Sequence, residues 1–194
     1  LGHDTTVSVT PKTLDISSTG VYVAVDTKLV VAGGEGGMYI SNPAPMSSSL
    51  MQSTAGLSVA IADDTVNQLF SGLWAAGAFE QNLTIDQVGV VASLLDDDAA
   101  TLAIDLMLPP TVSTAGGALE LGIGDLMVTV KDASGNEIQK LALSIKTTLA
   151  AGPTQTGAIT MTVGAPTVFA QVLAQSDVVD RPLTSEQVEG IITG

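Results

Sequence analysis

The sequence contains no cysteine, a single histidine, and only 6 lysine and arginine residues against 20 aspartate and glutamate. The first absence removes disulfide frameworks, thiol nucleophiles and sulfur-ligated zinc together. The shortage of cations leaves a net charge of −14, which opposes phosphate-rich partners, because nucleic-acid affinity comes mainly from cationic side chains that displace counterions. Nucleic acid and anionic membrane surfaces are therefore not expected partners. His3 lies near the start and has no second histidine to work with, and no Gly-x-Ser-x-Gly elbow occurs, so the chain is expected to be non-enzymatic. Aromatics are scarce at 3%. No uninterrupted apolar run approaches the roughly 20 residues that a membrane-spanning helix needs.

What remains is oily. Hydrophobic residues make up 45% of 194, and mean hydropathy is +0.43, so the apolar side chains must be folded inward. The length suffices to bury a core without covalent staples. Abundant Ala, Gly, Thr and Val with few aromatics fit an exported bacterial protein, and a secreted, periplasmic or cell-envelope location is expected.

Hydrophobic periodicity divides the chain. Val7 and Val9, Leu14 and Ile16, then Val21, Val23 and Val25 repeat at period two, punctuated by Pro11 and Thr19-Gly20, which predicts short antiparallel strands. The stretch Gly33-Gly34-Glu35-Gly36-Gly37 reads as a turn; it lacks the Lys-Ser/Thr of a phosphate loop. A linker-like segment around Asn42-Pro43-Ala44-Pro45 sets an expected boundary, with residues 1–45 as strands of a preceding domain or central sheet and 46–194 as an α+β domain.

Leu57, Val59 and Ile61 alternate as a strand. Asp63 or Asp64 then offers a helix N-cap, and Val66, Leu69, Phe70, Leu73 and Trp74 form an amphipathic stripe ending at Gly77, a left-handed cap position. A second helix is expected from Thr84, with Ile85, Val88, Ala92 and Leu95 on one face. Period two returns at Leu102, Ile104, Leu106 and Leu108 before Pro109-Pro110, at Leu119, Leu121 and Ile123, and at Leu126, Val128 and Val130. The segment Asp132-Ala133-Ser134-Gly135-Asn136 predicts the turn of a long hairpin returning through Leu141, Leu143, Ile145 and Leu149. Further strands are expected at Ile159, Met161 and Val163 and from Val168 to Leu173. Thr184 and Gln187 match a capping box that opens a closing helix, and the native helix is expected to continue past the end of the chain.

The strand, the acid-started helix with Asn67, Leu69-Phe70 and Leu73-Trp74-Ala75-Ala76-Gly77, the apolar strand Leu106-Met107-Leu108 ending in Pro109-Pro110-Thr111-Val112, and the long hairpin over 119–149 come in an order that resembles a known family. It is the bactericidal/permeability-increasing and lipopolysaccharide-binding protein family of the tubular lipid-binding superfamily, in its C-terminal domain. The likeness spans roughly residues 57–193. It implies a strongly curved antiparallel sheet wrapped around amphipathic helices, with lipid in an apolar tunnel between helix and sheet. Lacking the family's disulfide and its basic tip, this chain is expected to hold the acyl chains of a fatty acid or phospholipid, not lipid A phosphates. The implied lining is Val66, Leu69, Phe70, Leu73, Trp74, Leu106, Met107 and Leu108.

Each of these residues also has a plainer reading. Core packing is the default reading of the helix stripe, as in any domain, and Met107, Met127 and Met161 are ordinary gap fillers as well as adaptable contacts. Asp96-Asp97-Asp98 lacks the alternating spacing of a calcium loop and reads as a solvated turn; no metal or cofactor is expected. Besides lipid or another apolar small molecule, the expected partners are a second copy, forming a homodimer, or a flanking domain. The alternative to a lipid carrier is a ligand-free structural or adhesive β-sandwich of a bacterial surface protein.

Overall fold

A computed structural model describes residues 2–18, 20–35, 58–88, 92, 95–114, 119–153 and 159–193. The chain forms two compact units, Leu1–Ala78 and Phe79–Gly194. The boundary expected at residue 45 lies outside the described residues.

In the first unit, β1 (Thr5–Ser17) and β2 (Gly20–Val31) form one long antiparallel hairpin. Pro11, expected to end a strand, lies inside β1 next to a register shift between Pro11 and Thr13. The extra residue, Lys12, makes a β-bulge that reverses the alternation of side chains. Val7, Val9, Leu14 and Ile16 consequently oppose Leu29, Thr27, Val23 and Val21 and share one face, because directly opposed residues project to the same side.

The helix α1 (Asp63–Ala75) packs against β2 in the same unit. No strand precedes it over residues 58–62, where Val59 and Ile61 are exposed. Its N-cap is Ala62; Asp63 and Asp64 sit instead in the first turn, where the positive end of the helix dipole favours them. The C-terminus matches expectation. Gly77 adopts φ 73°, its N–H donates to the Trp74 carbonyl, and Ala78 N–H donates to the Leu73 carbonyl, the paired bonds of a Schellman motif.

The second unit is α+β, built on a strongly curled antiparallel sheet, a half-barrel. Its centre is the long hairpin of β6 (Leu119–Lys131) and β7 (Glu137–Pro153). On the β6 side lie β4 (Thr101–Leu106) and β5 (Thr111–Ser113), with β3 (Gln81–Thr84) outside β4. On the β7 side lie β8 (Ile159–Val163) and β9 (Thr167–Gln175). Neither unit stacks one sheet on another among the described residues, so the sandwich of the alternative reading is not the architecture found.

The period-two runs on either side of Gly124-Asp125 belong to a single strand. A register shift between Ile123 and Leu126 marks a bulge, with Asp125 at φ 49°. This inserted residue again corrects the alternation: Leu121, Ile123, Leu126 and Val128 oppose Thr147, Ile145, Leu143 and Leu141 on one continuous face. At the same level the neighbouring strand breaks between β4 and β5, and Met107 N–H donates to the Asp125 carbonyl at 3.1 Å. On the other flank the gap between β8 and β9 faces β7 nearby, where Gly164 N–H donates to the Thr148 carbonyl. A crease thus crosses the sheet.

On one side of the crease the apolar face is filled. Leu102, Val130, Leu141, Leu143 and Ala170 pack with Leu95, Ala99, Leu183 and Val188; Val188 belongs to α2 (Ser185–Thr193), which lies against β9. The expected capping box is present: Gln187 N–H donates to Thr184 Oγ1 at 3.2 Å, and Thr184 N–H donates to Gln187 Oε1 at 2.9 Å. Of the other expected helix, the described residues show a 3₁₀ turn at Ile85–Gln87; residues 89–91 and 93–94 lie outside the described residues. Ile85 and Val88 still pack on the core, and Leu95 is buried in it.

A buried glutamine fixes the approach to α2. Gln139 Nε2 donates to the Leu183 carbonyl at 2.8 Å, and Leu183 N–H donates to Gln139 Oε1 at 3.2 Å. Gln139→Leu strands both buried backbone groups, each worth about 1–3 kcal/mol when left unsatisfied. The expected result is a loss of about 2–3 kcal/mol in urea denaturation; wild-type stability would show that the bonds do not anchor this segment.

The hairpin turn carries an acid-sensitive contact. Asp132 accepts hydrogen bonds from Asn136 Nδ2 and from the Asn136 and Ser134 N–H groups. These bonds, the Asn136 side chain foremost, hold its carboxyl below the ordinary carboxylate value. A depressed folded-state pKa contributes stability above the unfolded value, near 3.9, and that contribution disappears as pH falls through the folded value. Asp132→Ala is therefore expected to lower the denaturation midpoint at neutral pH and to converge on wild type in strong acid. A pH-independent difference would exclude the ionised carboxylate as its source.

Candidate functional site

Beyond the crease, the apolar face of the second unit continues without being filled to the same degree. Leu119, Leu121, Ile123 and Leu149 stay half-buried, and Val163, opposite Leu149, is exposed. Val112 is buried opposite Leu121, and Thr147 is buried with its hydroxyl donating to the Gly164 carbonyl at 2.8 Å. The one polar side chain in this run of β7 is thereby satisfied, and the surface it shares offers hydrocarbon and no charge.

The predicted lining residues divide between the units. Leu106 ends β4 on the filled side, opposite Leu126, and is buried. Met107 and Leu108 leave the strand at the crease and are exposed; a Cβ at Gly124 would stand 3.7 Å from Leu108 Cδ1. Val66, Leu69, Phe70, Leu73 and Trp74 lie on α1 in the first unit, all half-buried.

The face that α1 presents to β2 is a different one. Gln68 accepts from the Leu29 N–H at 3.0 Å and donates to the Thr27 carbonyl at 3.2 Å, in the manner of a neighbouring strand. Gly72 approaches so closely that a Cβ there would stand 2.7 Å from Val31 Cγ2. At 100° per residue, Gln68 and Gly72 lie across the helix from Val66, Phe70 and Trp74, the centre of the stripe, with Leu69 and Leu73 on its flank. The stripe is therefore turned away from β2, and the helix buries Asn67, Ser71 and Gly72 instead.

The acidic run does structural work. Asp96 accepts from the Asp98 N–H at 3.0 Å and the Arg181 N–H at 2.8 Å, and Asp97 pairs with the Arg181 guanidinium. The Asp98 and Arg181 backbone bonds hold the Asp96 carboxyl below its ordinary value. Asp96 and Arg181 thus clip the segment after the 3₁₀ turn to the chain leading into α2. Among the described residues no helix is long and apolar enough to cross a membrane, which leaves strand-built spans unaddressed.

No family model, curated protein or solved structure matches the chain.

Proposed function

We propose that the chain is a lipid-binding module of the tubular type, resembling the bactericidal/permeability-increasing family, that holds acyl chains along the apolar face of its curled sheet. The observation carrying this reading is the continuous face of β6 and β7, apolar but for the hydrogen-bonded Thr147 and Gln139, filled by side chains on one side of the crease and half-open at Leu119, Leu121, Ile123 and Leu149 on the other. Curvature supports it, since a bent sheet leaves a concave surface where a flat one would need a second layer. An exported or envelope location is part of the same proposal.

Binding of this kind is non-directional, so affinity follows buried hydrocarbon at about 0.8 kcal/mol per methylene, or roughly fourfold per carbon. Delipidated protein is expected to take up about one fatty acid or phospholipid per chain in native mass spectrometry. Displacement of a fluorescent fatty acid should tighten with chain length until the open half is filled. Leu121→Glu with Leu149→Glu is expected to weaken uptake at least about tenfold, because a carboxylate resists transfer from water, whereas Thr129→Glu, on the opposite face, leaves it unchanged. Absence of uptake by wild type, or equal loss in all variants, overturns the proposal.

A further inference from the structure

The hairpin of the first unit has an apolar face that α1 covers only at its base. Val31 is 1% exposed beneath Gly72 of the helix, Val25 is 46% exposed, and at the tip Val21 and Ile16 reach 65% and 71%. Val7, Val9, Leu14 and Val23 are likewise exposed on this face. The opposite face carries Thr6, Ser8, Thr10, Thr13 and Asp15, with Lys28 and Asp26. The bulge at Lys12 is what keeps Leu14 and Ile16 on the side of Val7 and Val9, while Val30 and Tyr22 lie on the opposite face.

Such a face is unstable alone. A two-stranded ribbon is at best marginal in water and requires cover. Its exposed apolar residues correspond to on the order of 600 Å², at the upper limit of patches on monomers, and close to the roughly 800 Å² per partner of a standard interface once flanking atoms are counted.

We infer that this face is a self-association surface, on which the hairpin of a second copy packs face to face about a two-fold axis. Charge selects the occupant. The molecule carries −14, yet the apolar face contains no ionisable side chain, so two identical faces meet without opposing like charges. An isologous contact requires only that a surface complement itself, and a strand face made mostly of valine, leucine and isoleucine does so by interdigitation. The inference does not depend on lipid binding.

The absence of native cysteine gives a clean test. Sedimentation velocity of the full chain is expected to show a species of twice the chain mass at concentrations up to about 100 µM, as an interface of this size implies. A short bismaleimide should cross-link Val23→Cys and leave Ser8→Cys, on the polar face, as monomer. Leu14→Glu with Val23→Glu should sediment as monomer with unchanged circular dichroism. A wild-type monomer throughout that range, a dimer that survives the double charge, cross-linking through position 8 in place of 23, or a wild-type monomer that floats with zwitterionic phosphatidylcholine vesicles each overturns the inference.

Discussion

Leu141→Ala is expected to cost the second unit about 3–5 kcal/mol, the upper range for leucine truncation at a site that cannot collapse. Leu141 is 1% exposed and sits on β7 between Val128 of β6 and Val172 of β9. Both neighbours are held to β7 by ladder bonds, which limits inward movement of the backbone to close the void. Leu141→Met, which keeps the volume, should cost less than about 1.5 kcal/mol. Denaturation followed by far-ultraviolet circular dichroism separates the two. Similar midpoints for both variants would mean that the sheet relaxes around the site, and that the filled end is less tightly packed than its burial indicates.

The second large effect concerns a glycine in the first unit. A Cβ at Gly34 would collide with the carbonyl oxygen of Gly72, and because that atom is helix backbone, no rotamer change relieves the overlap. Gly34→Ala must displace α1 from the turn after β2, at an expected cost of about 3 kcal/mol or more, the upper range for overpacking. Gly72→Ala meets only the Val31 side chain, at 2.7 Å from Cγ2, and should cost less. Trp74, the single tryptophan, lies on α1 and reports the helix by fluorescence. If Gly34→Ala unfolds at the wild-type midpoint, the close approach is not a constraint on the fold.

Period-two patterning revealed most strands of both hairpins, and local chemistry placed three boundaries correctly: the left-handed Gly77, the capping box of Thr184 and Gln187, and the Asp132 turn. Each of these depends on residues adjacent in the chain. The alternation itself misled wherever it changed phase. Leu119 to Ile123 and Leu126 to Val130 look like two strands, and Pro11 looks like a stop, because the residue that restores register is recognised only once the partner strand is known. β3 escaped notice since Gln81, Asn82 and Thr84 surround one apolar residue, Leu83; it joins the sheet by pairing with β4. For α1 the stripe was legible and the contact with β2 was not. Periodicity gives the oiliest face to the core, whereas close docking on β2 is made by Gln68, through hydrogen bonds, and by Gly72, through small size.

The crease has a mechanical meaning. Where β4 gives way to β5, where β6 gains a residue, and where β8 gives way to β9, interstrand pairing is interrupted on both flanks of the central ribbon, so stiffness drops along one diagonal line. Bending there disturbs neither the plugged end nor the clip between Asp96 and Arg181. Compliance is thereby separated from stability: under the proposed lipid-binding reading, a guest of greater girth would be met by yielding of one leaf of the sheet, while the other keeps its shape.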